Sequence, residues 1–281
     1  MKLGLRLVLI GVAAVLGLGC TAASPPVSAS NDAKSSEVTV DDALVQFSLL
    51  STLAAGDYGD GAPLGNVLSS GDFGVGTFNR LDGEMIVLEG KIYQAFADGR
   101  ISPADLSGTT PFAAVTFFNE EGRIENVAAK TLSDLDEQLD RKLPHLNAPY
   151  AIRIDGEFPE ISLRSVPAQS PPFQPLVEVV KQQVTWRHQN LRGVLVGLRC
   201  PAWIGTLNVS GYHWHFLSED RKIGGHVLAC ELRSGLLRFD ECTSVVIHLP
   251  ESSKFHEFQA NDINEKDIDQ IERQRSPAGT P

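Results

Sequence analysis

The chain has 281 residues, of which 42% are hydrophobic, and a formal net charge of −11 at pH 7. That length is enough for one large domain, or two closely packed domains, with a real hydrophobic core. The acidic balance argues against nucleic acid as a partner and against charge-driven binding to anionic membranes.

The N-terminal residues predict export from the cytoplasm. Lys2 and Arg6 precede an apolar run at residues 7–18, and small residues follow, which is the order of a secretory signal over residues 1–20. The apolar run is shorter than the roughly 20 residues that a membrane-spanning helix needs. We therefore expect the mature protein in the periplasm or outside the cell.

The sequence leaves two outcomes of processing open. Residues 16–20 (LGLGC) resemble a bacterial lipobox, in which Cys20 would be lipidated and would be the only contact with a membrane. Cleavage at residues 22–24 would instead release the protein freely. Residues 21–36 are rich in Ala, Ser and Pro and predict a disordered tether, because they have little to bury.

Beyond the tether, the sequence predicts a mixed α/β fold of two packed, mainly antiparallel or mixed β-sheets with a few flanking helices. Leu44, Phe47, Leu50 and Leu53 follow an i, i+3 spacing and indicate the first helix. The expected helices cover residues 40–53, 64–69, 133–143, 175–183 and 263–273. The expected strands cover residues 71–88, 91–96, 113–118, 150–154, 160–166, 184–200, 207–217 and 226–239.

Two local signals describe the expected helices more closely. Ser133 and Asp136 have the spacing of a capping box, in which a hydroxyl and an acid satisfy free backbone N–H groups at a helix start. Ile268 and Ile271 give the charged C-terminal helix a narrow apolar edge, which predicts that one side of this helix packs against the body.

The expected elements divide the chain into successive parts. Residues 37–170 form an N-terminal α/β part, residues 171–275 form a C-terminal β part that carries the metal site, and residues 276–281 form a polar tail. The sequence shows no internal repeat and no second apolar span, so neither a repeat architecture nor a multi-span membrane protein is expected.

Cysteine usage does not settle the redox state. Cys200, Cys230 and Cys242 remain after the signal, which is an odd number for an exported protein. Cys230 and Cys242 are closest in sequence and could form one disulfide, whereas three buried free thiols are the alternative. No Cys-x-x-Cys spacing indicates a zinc finger or a redox motif.

The most informative segment is residues 211–216 (GYHWHF). His213 and His215 stand two residues apart, and on a β-strand such side chains point to the same side. The aromatic residues then point to the other side, so the strand separates a wet, metal-competent face from an apolar one. If residues 218–222 turn the chain back, His226 faces His215, and three imidazoles converge with an open position, as in catalytic zinc sites. Surface histidines without a metal are the alternative that this local pattern leaves open.

A series of short segments in a fixed order extends this pattern over residues 41–273. The segments are residues 71–78 (GDFGVGTF), 81–85 (LDGEM), 90–94 (GKIYQ), 109–113 (TTPFA), 175–181 (PLVEVVK), 211–216 (GYHWHF), 220–221 (DR) and 224–226 (GGH). Together they resemble the bacterial alpha-acetolactate decarboxylase family. The resemblance implies a carbon–carbon lyase that converts the small molecule 2-acetolactate to acetoin. A homodimer is compatible with it.

The resemblance also implies a zinc-dependent reaction. In the family the matching histidines bind the metal, so His213, His215 and His226 are expected to hold Zn²⁺. Loss of carbon dioxide from 2-acetolactate leaves an electron pair as an enediolate. A divalent cation that chelates the keto and hydroxyl oxygens lowers the energy of that charge.

Three further residues match functional positions of the family. Glu84 corresponds to an active-site glutamate on an adjacent strand, and Arg164 to an arginine that contacts the substrate. Glu272 corresponds to a second glutamate brought in by the C-terminal segment. Thr77 is a candidate for a further polar contact. We expect Glu84 closer to the zinc and Glu272 farther from it as the proton donor, since positive charge keeps a nearby carboxylate ionised.

Two other functions stay open at this stage. One is a non-enzymatic extracytoplasmic lipoprotein that binds a metal or a ligand on the same scaffold. The other is a cupin-like metal enzyme, in which Glu219 would join the three histidines as a ligand, although the second cupin motif is absent. No special role is expected for the remaining histidines, which are His145, His188, His248 and His256.

Overall fold

The computed structural model describes residues 42–59, 61–259 and 263–272. The predicted export signal with its lipobox, the tether and the polar tail all lie outside the described residues. Among the described helices, none is both long and apolar enough to cross a membrane.

The described elements are numbered here in chain order. The strands are β1 (Ala43–Phe47), β2 (Ala62–Pro63), β3 (Phe73–Thr77), β4 (Glu84–Leu88), β5 (Lys91–Ala95), β6 (Ile101–Pro103), β7 (Thr109–Thr110), β8 (Ala113–Thr116), β9 (Gly122–Ala129), β10 (Tyr150–Ser165), β11 (Val184–Cys200), β12 (Gly211–Ser218), β13 (Gly224–Glu241) and β14 (Ser244–His248). The helices are α1 (Leu50–Ala54), α2 (Leu64–Ser70), α3 (Leu132–Asp140), α4 (Leu176–Val179), α5 (Ser253–Glu257) and α6 (Glu265–Glu272), and short 3-10 turns lie at Asn79–Leu81, Val180–Gln182 and Ala202–Ile204.

The first sheet has the strand order β14-β1-β8-β3-β4-β5-β6, while β2 and β7 form a separate two-stranded ribbon. Only the β1–β14 pair of this sheet is parallel among the described strands. Both faces of β4 are covered. Ile86 packs with Val196 of the second sheet, whereas Met85 and Val87 pack with Val67 of α2. Burial on both faces explains why this strand is a continuous apolar run.

The second sheet closes on itself. β10 pairs with β11 on one side and with β13 on the other, β11 pairs with β12, and β12 pairs with β13. β9 extends the sheet beyond β13. Phe158, Trp214 and Phe216 form a core with Leu135 and Leu139, which hold α3 against this sheet.

β12 and β13 separate soon after the turn that joins them. They pair only over three positions, of which His215 opposite His226 is the last. Beyond it, β13 continues along β10, where His226 lies opposite Arg164. Gly225 makes this close approach possible, because its φ is +151° and an added Cβ would lie 2.6 Å from the Arg164 carbonyl oxygen. The separation leaves the N-terminal half of β12 without a partner on one side among the described strands.

Residues 40–53 were expected to be one helix, and this is wrong. β1 occupies Ala43–Phe47, Ser48 follows with a positive φ of 69°, and only Leu50–Ala54 is helical. Every residue of β1 is buried, because the strand lies between β14 and β8 with both faces covered. A strand that is buried on both faces is apolar at most positions, here at all but Gln46, so it satisfies a helical spacing by chance.

Residues 150–154 and 160–166 were expected to be two strands, but β10 is one strand of 16 residues. Gly156 and Pro159 interrupt the sequence pattern because neither is a good strand former. The strand continues through them because its neighbours run alongside, with Gly156 opposite both Gly193 and Gly235.

The capping box of α3 lies two residues earlier than Ser133 and Asp136. The Thr131 hydroxyl accepts a hydrogen bond from the Asp134 N–H at 3.1 Å, and the Asp134 carboxylate accepts one from the Lys130 N–H at 3.0 Å. Thr131 with Asp134 and Ser133 with Asp136 have the same spacing, so the sequence alone allows the helix to start at either place. Asp136 instead accepts a hydrogen bond from Trp214 Nε1 at 3.0 Å.

Two further predictions concern the packing of α6 and the state of the cysteines. Ile268 and Ile271 of α6 are buried with Leu53 of α1 and Leu176 of α4, which confirms the apolar edge of the C-terminal helix. Cys200, Cys230 and Cys242 are buried free thiols, so the alternative without a disulfide is the one that forms.

The mixed α/β class with two packed sheets and a few helices is confirmed. The sheets do not follow the boundary that was placed at residue 170. β14 lies after it and joins the first sheet, whereas β9 and β10 lie before it and join the second. The two sheets therefore interleave along the sequence, and the site described next lies between them.

Candidate metal centre

Three imidazoles converge where β12 and β13 meet. His213 and His215 lie on one side of β12, and His226 lies directly opposite His215 on β13, as the strand period and the turn predict. One side-chain nitrogen from each histidine lies within 4.8 Å of the others. The sequence prediction that His226 faces His215 on a shared surface is confirmed.

The prediction that this face is wet is wrong. His213, His215 and His226 are only 7%, 0% and 2% exposed, because β4 of the first sheet covers them. His215 Nδ1 lies 2.7 Å from the Met85 carbonyl oxygen and donates to it across the sheets. The metal-competent face is thus an inter-sheet interior, and a single strand cannot reveal which sheet will cover it.

Hydrogen bonds to carbonyl groups assign the ring protons. A carbonyl can only accept, so His215 carries its proton on Nδ1 towards Met85, and His226 carries its proton on Nε2 towards the Glu272 carbonyl at 3.1 Å. His215 Nε2 and His226 Nδ1 are left as lone pairs. Carbonyl partners of this kind orient histidine ligands in metal sites.

The nitrogen atoms fit a metal ion. His226 Nδ1 lies 3.2 Å from His213 Nε2, which matches the separation of about 3.3 Å that tetrahedral zinc ligands have at Zn–N distances near 2.0–2.1 Å. His215 Nε2 is buried and has no hydrogen-bond partner among the described residues. Buried polar atoms are normally satisfied, so this lone pair indicates a missing ligand.

Burial also sets the charge of the imidazoles. It lowers the pKa of all three, that of His213 to about 3, and the nearby Arg164 guanidinium lowers each further. The rings are therefore neutral at neutral pH, which is the protonation state that metal ligation requires.

Two carboxyl groups flank the imidazoles. Glu84, the first residue of β4, places Oε2 3.6 Å from His215 Nε2, and Glu272, the last residue of α6, places Oε2 3.6 Å from His213 Nε2 and 3.7 Å from His226 Nδ1. Burial raises the pKa of Glu272 and raises that of Glu84 to about 7, although Arg164 opposes both shifts.

Glu84 was expected to lie closer to the zinc than Glu272, and this order stays a prediction. Both carboxyl groups come within 3.6 Å of an imidazole nitrogen, and Glu272 approaches two imidazoles whereas Glu84 approaches one. The backbone of α6 explains the position of Glu272. Its last carbonyl accepts the hydrogen bond from His226, which draws the attached side chain over the histidines.

Arg164 completes the charged group. It lies on β10 opposite His226 and is 4% exposed. Its Nη2 lies 3.5 Å from Glu272 Oε2, and its Nη1 donates to Gln183 Oε1 at 3.4 Å. Its Nε is buried and has no hydrogen-bond partner among the described residues, so the guanidinium keeps a donor that no described protein group accepts.

These groups line one small cavity between the sheets. Thr77, Glu84, Arg164, His213 and Glu272 supply its polar wall, and its volume of about 40 Å³ leaves room for a few water molecules. The Thr77 hydroxyl donates to the Gly83 carbonyl at 2.8 Å, in the turn that leads into Glu84. The structure therefore brings all seven predicted site residues together, His215 and His226 included.

The apolar part of the cavity was missed by sequence reasoning. It consists of Leu50, Leu53, Leu81, Phe112, Val166 and Leu176. Gln183, which accepts from Arg164, was also missed. These residues come from separate segments that ordinary core packing would explain equally well, so the sequence carries no signal that would have selected them.

The cupin-like ligand and the remaining histidines lie elsewhere. Glu219 is exposed in the turn between β12 and β13, and its N–H donates to the Arg192 carbonyl at 2.9 Å. It is absent from the described group of possible ligands. His145 pairs with Glu241 at 2.9 Å on the surface, away from the metal centre. The cupin-like alternative has no support in this arrangement.

Comparisons of sequence and structure with known proteins all match one family over most of the chain. Residues 44–262 match the family model described as alpha-acetolactate decarboxylase. An alpha-acetolactate decarboxylase of Klebsiella aerogenes is 40% identical over 79% of this chain and 84% of its own length. One of Methanosarcina mazei is 37% identical over 83% of this chain and 81% of its own. The crystal structure of alpha-acetolactate decarboxylase from Bacillus subtilis strain 168 superposes with a TM-score of 0.79 at 35% identity, covering 82% of this chain and 99% of that one.

Removal of one imidazole should empty the metal centre while the fold survives. We expect purified protein to hold about one divalent ion per chain, and His215→Ala or His226→Ala to hold much less than one, because two remaining nitrogens bind weakly. Metal content by plasma mass spectrometry and folding by circular dichroism are the measurements. His256→Ala, an exposed histidine outside the site, is the control and should keep its metal. Equal metal in all three variants would refute the assignment.

Proposed function

The chain belongs to the alpha-acetolactate decarboxylase family, and from this membership we propose that it converts 2-acetolactate to acetoin and carbon dioxide with a zinc ion at His213, His215 and His226. The observation that carries the proposal is the meeting of three neutral imidazoles, a guanidinium and two carboxyl groups in one buried cluster beside the inter-sheet cavity. Burying such groups costs free energy. A binding lipoprotein without catalysis gives no reason for that cost, so the enzymatic function is favoured.

The donor set supports zinc as the metal. Three neutral imidazole nitrogens with no cysteine and a free position are typical of catalytic zinc sites. When bound, the cation supplies positive charge for the substrate oxygens that become negative as carbon dioxide leaves. The remaining steps concern what the side chains of this protein do.

Arg164 is proposed to hold the carboxylate of the substrate. Its guanidinium is the permanent cation of the inter-sheet cavity, and its planar donors can bind two oxygen atoms at once. Glu272 and Gln183 fix the guanidinium from its two terminal nitrogens. A fixed donor set orients the scissile bond before the reaction, which lowers the entropic part of the barrier.

The two glutamates are proposed to share one proton. Two carboxyl groups that are buried in the same cavity oppose each other's ionisation. Arg164 lies at ion-pair distance from Glu272 and favours the charge there, so the proton resides on Glu84. Glu84 would then protonate the carbon that has lost carbon dioxide, and Glu272 would hold Arg164 and face the metal.

The apolar wall is proposed to keep bulk water from the reacting carbon. Side chains of α1, α4 and the 3-10 turn before β4 cover the cavity on the side away from the histidines. Exclusion of water strengthens the interactions between charges inside the cavity and restricts proton transfer to positioned side chains.

Acetolactate added to the purified protein should give acetoin. We expect turnover to disappear after treatment with a chelator and to return with zinc, because the cation supplies the charge that the reaction needs. Acetoin formation and carbon dioxide release are measured together. A metal-loaded, folded protein that produces no acetoin would overturn the proposed reaction.

The glutamate assignment is tested with isosteric variants. Glu84→Gln should keep its metal and lose roughly 10²–10⁴-fold in kcat, the usual range for a missing general acid. The acetoin that still forms should also lose chirality, because water would protonate either face. The measurements are kcat, metal content and the enantiomeric ratio of acetoin.

Glu272→Gln is the matched comparison for Glu84→Gln. It should retain the chirality of the product, since the donor stays in place, while KM rises because Arg164 loses a charged partner. Racemic product from Glu272→Gln together with chiral product from Glu84→Gln would exchange the two roles.

Export is proposed on the basis of residues 1–20 and is independent of the catalytic assignment. Mass spectrometry of the native N-terminus should find a chain that begins at Cys20 with attached lipid, or one that begins near residues 22–24 without lipid. A cytoplasmic chain that retains Met1 would contradict export. A Cys20→Ser variant should keep full activity, because the predicted tether of residues 21–36 would separate the anchor from the catalytic body.

A further inference from the structure

A second cavity reaches the imidazoles from outside the inter-sheet site. It lies where β12 and β13 separate, and α3 forms its outer wall. Its volume is about 370 Å³, and His226 and Glu272 lie at its inner end. His226 is buried, whereas Ala202 and Glu137 on the same cavity are exposed, so the cavity leads from the surface to a proposed metal ligand.

The two cavities share only one residue. Glu272 lines both, while His213 belongs to the inter-sheet cavity and His226 to the outer one. The centre can therefore be approached from two directions. The walls of the outer cavity decide what would enter by that path.

The charge of the outer cavity suits a cation. Asp136, Glu137 and Asp140 line it together with Glu272, whereas Arg199 is the single cationic side chain among its described walls. Three guanidinium groups pair with these acids: Arg199 with Asp140 at 3.5 Å, Arg141 with Glu137 at 3.8 Å and Arg164 with Glu272 at 3.5 Å. Four carboxylates against three guanidinium groups leave a small net negative charge, which favours a divalent ion over a carboxylate substrate.

Hydrogen bonds hold two of the acids on α3 in place. Asp136 accepts from Trp214 Nε1 at 3.0 Å, and Asp140 accepts from the Tyr212 hydroxyl at 2.8 Å. Tyr212 and Trp214 are the stacked aromatic residues of the unpaired half of β12, with ring centroids 5.7 Å apart. The aromatic side chains that flank the ligand histidines thus fix the acids on α3.

From this arrangement we infer that the outer cavity is the path by which the metal ion enters and leaves the site, separate from the cavity that takes the substrate. The inference rests on the proposed metal centre. The acids on α3 draw the hydrated cation inward, and His226 is the first imidazole that it meets. A separate path lets the ion bind without crossing the Arg164 guanidinium, which would repel it.

Isotope exchange into the zinc-loaded protein tests the path without any assay of activity. The protein is incubated with free ⁶⁷Zn, and the exchange of bound zinc is followed by mass spectrometry. Ala202→Trp should obstruct the mouth and slow exchange at least about tenfold, while total zinc stays at one per chain. An obstruction in the path slows the entry and the release of zinc by the same factor, so the affinity for zinc should not change. Ser234→Trp, at an exposed position on a different cavity, is the matched control and should exchange like the unmodified protein.

A charge variant gives an independent result if the bulky side chain prevents folding. Asp136→Asn, Glu137→Gln and Asp140→Asn together keep the hydrogen-bond acceptors but remove three negative charges. Exchange should slow about tenfold at low ionic strength, and the difference should vanish in high salt. The control is the combination of Glu125→Gln, Glu157→Gln and Glu219→Gln. It removes three charges from the separate surface cavity that contains Ser234.

The outcomes separate the path from the metal centre. Unchanged exchange in both the Ala202→Trp and the charge variant, with zinc fully bound, would overturn the path and leave the metal centre intact. Equal slowing by the two controls would also overturn it, since net charge or general stiffness would then explain the effect. A wild-type protein that binds no zinc would overturn the metal centre and the path together.

Discussion

The hydrogen bond from His215 to the Met85 carbonyl is the contact on which the site depends, because it joins the two sheets at the imidazoles. His215 is fully buried on β12, and Met85 is fully buried on β4. The bond fixes the ring proton on Nδ1 and turns Nε2 towards the other two rings. It also fixes the start of β4, where Glu84 follows the turn at Gly83. One inter-sheet contact therefore positions both an imidazole and a carboxyl group.

The C-terminal end of α6 supports the site from the other side. The last carbonyls of a helix lack partners within the helix, so a donor that reaches them stabilises the helix end. His226 Nε2 is that donor for the Glu272 carbonyl. Glu272 also directs its carboxylate at His213 and Arg164. The negative end of the helix dipole adds a further favourable interaction with any cation held by the imidazoles.

Local patterns were sufficient for some parts of this arrangement and insufficient for others. The sequence predicts that His215 lies opposite His226, because side chains alternate along a strand and a short turn joins β12 to β13. Glu84, Arg164 and Glu272 lie far apart along the chain, and no local pattern brings them together. Only the resemblance to a known family pointed to them. The approach of Glu272 to two imidazoles could not be predicted, because it depends on a tertiary hydrogen bond. The burial of the histidine face was missed for the same reason, since β4 covers it from another sheet.

The division of charge around the imidazoles follows from the way the strands separate. Where β13 leaves β12 and turns to β10, it brings His226 opposite Arg164, and this places the guanidinium on the inter-sheet side. The gap that remains beside β12 is bordered by α3, which supplies three acidic side chains to it. A field that attracts a cation repels an anion, so the proposed centre, which would bind a metal ion and a carboxylate substrate, gains from keeping the two approaches apart. Glu272 lies between them and contacts both the guanidinium and the imidazoles, so its carboxylate is the boundary between the cationic and the anionic side of the site.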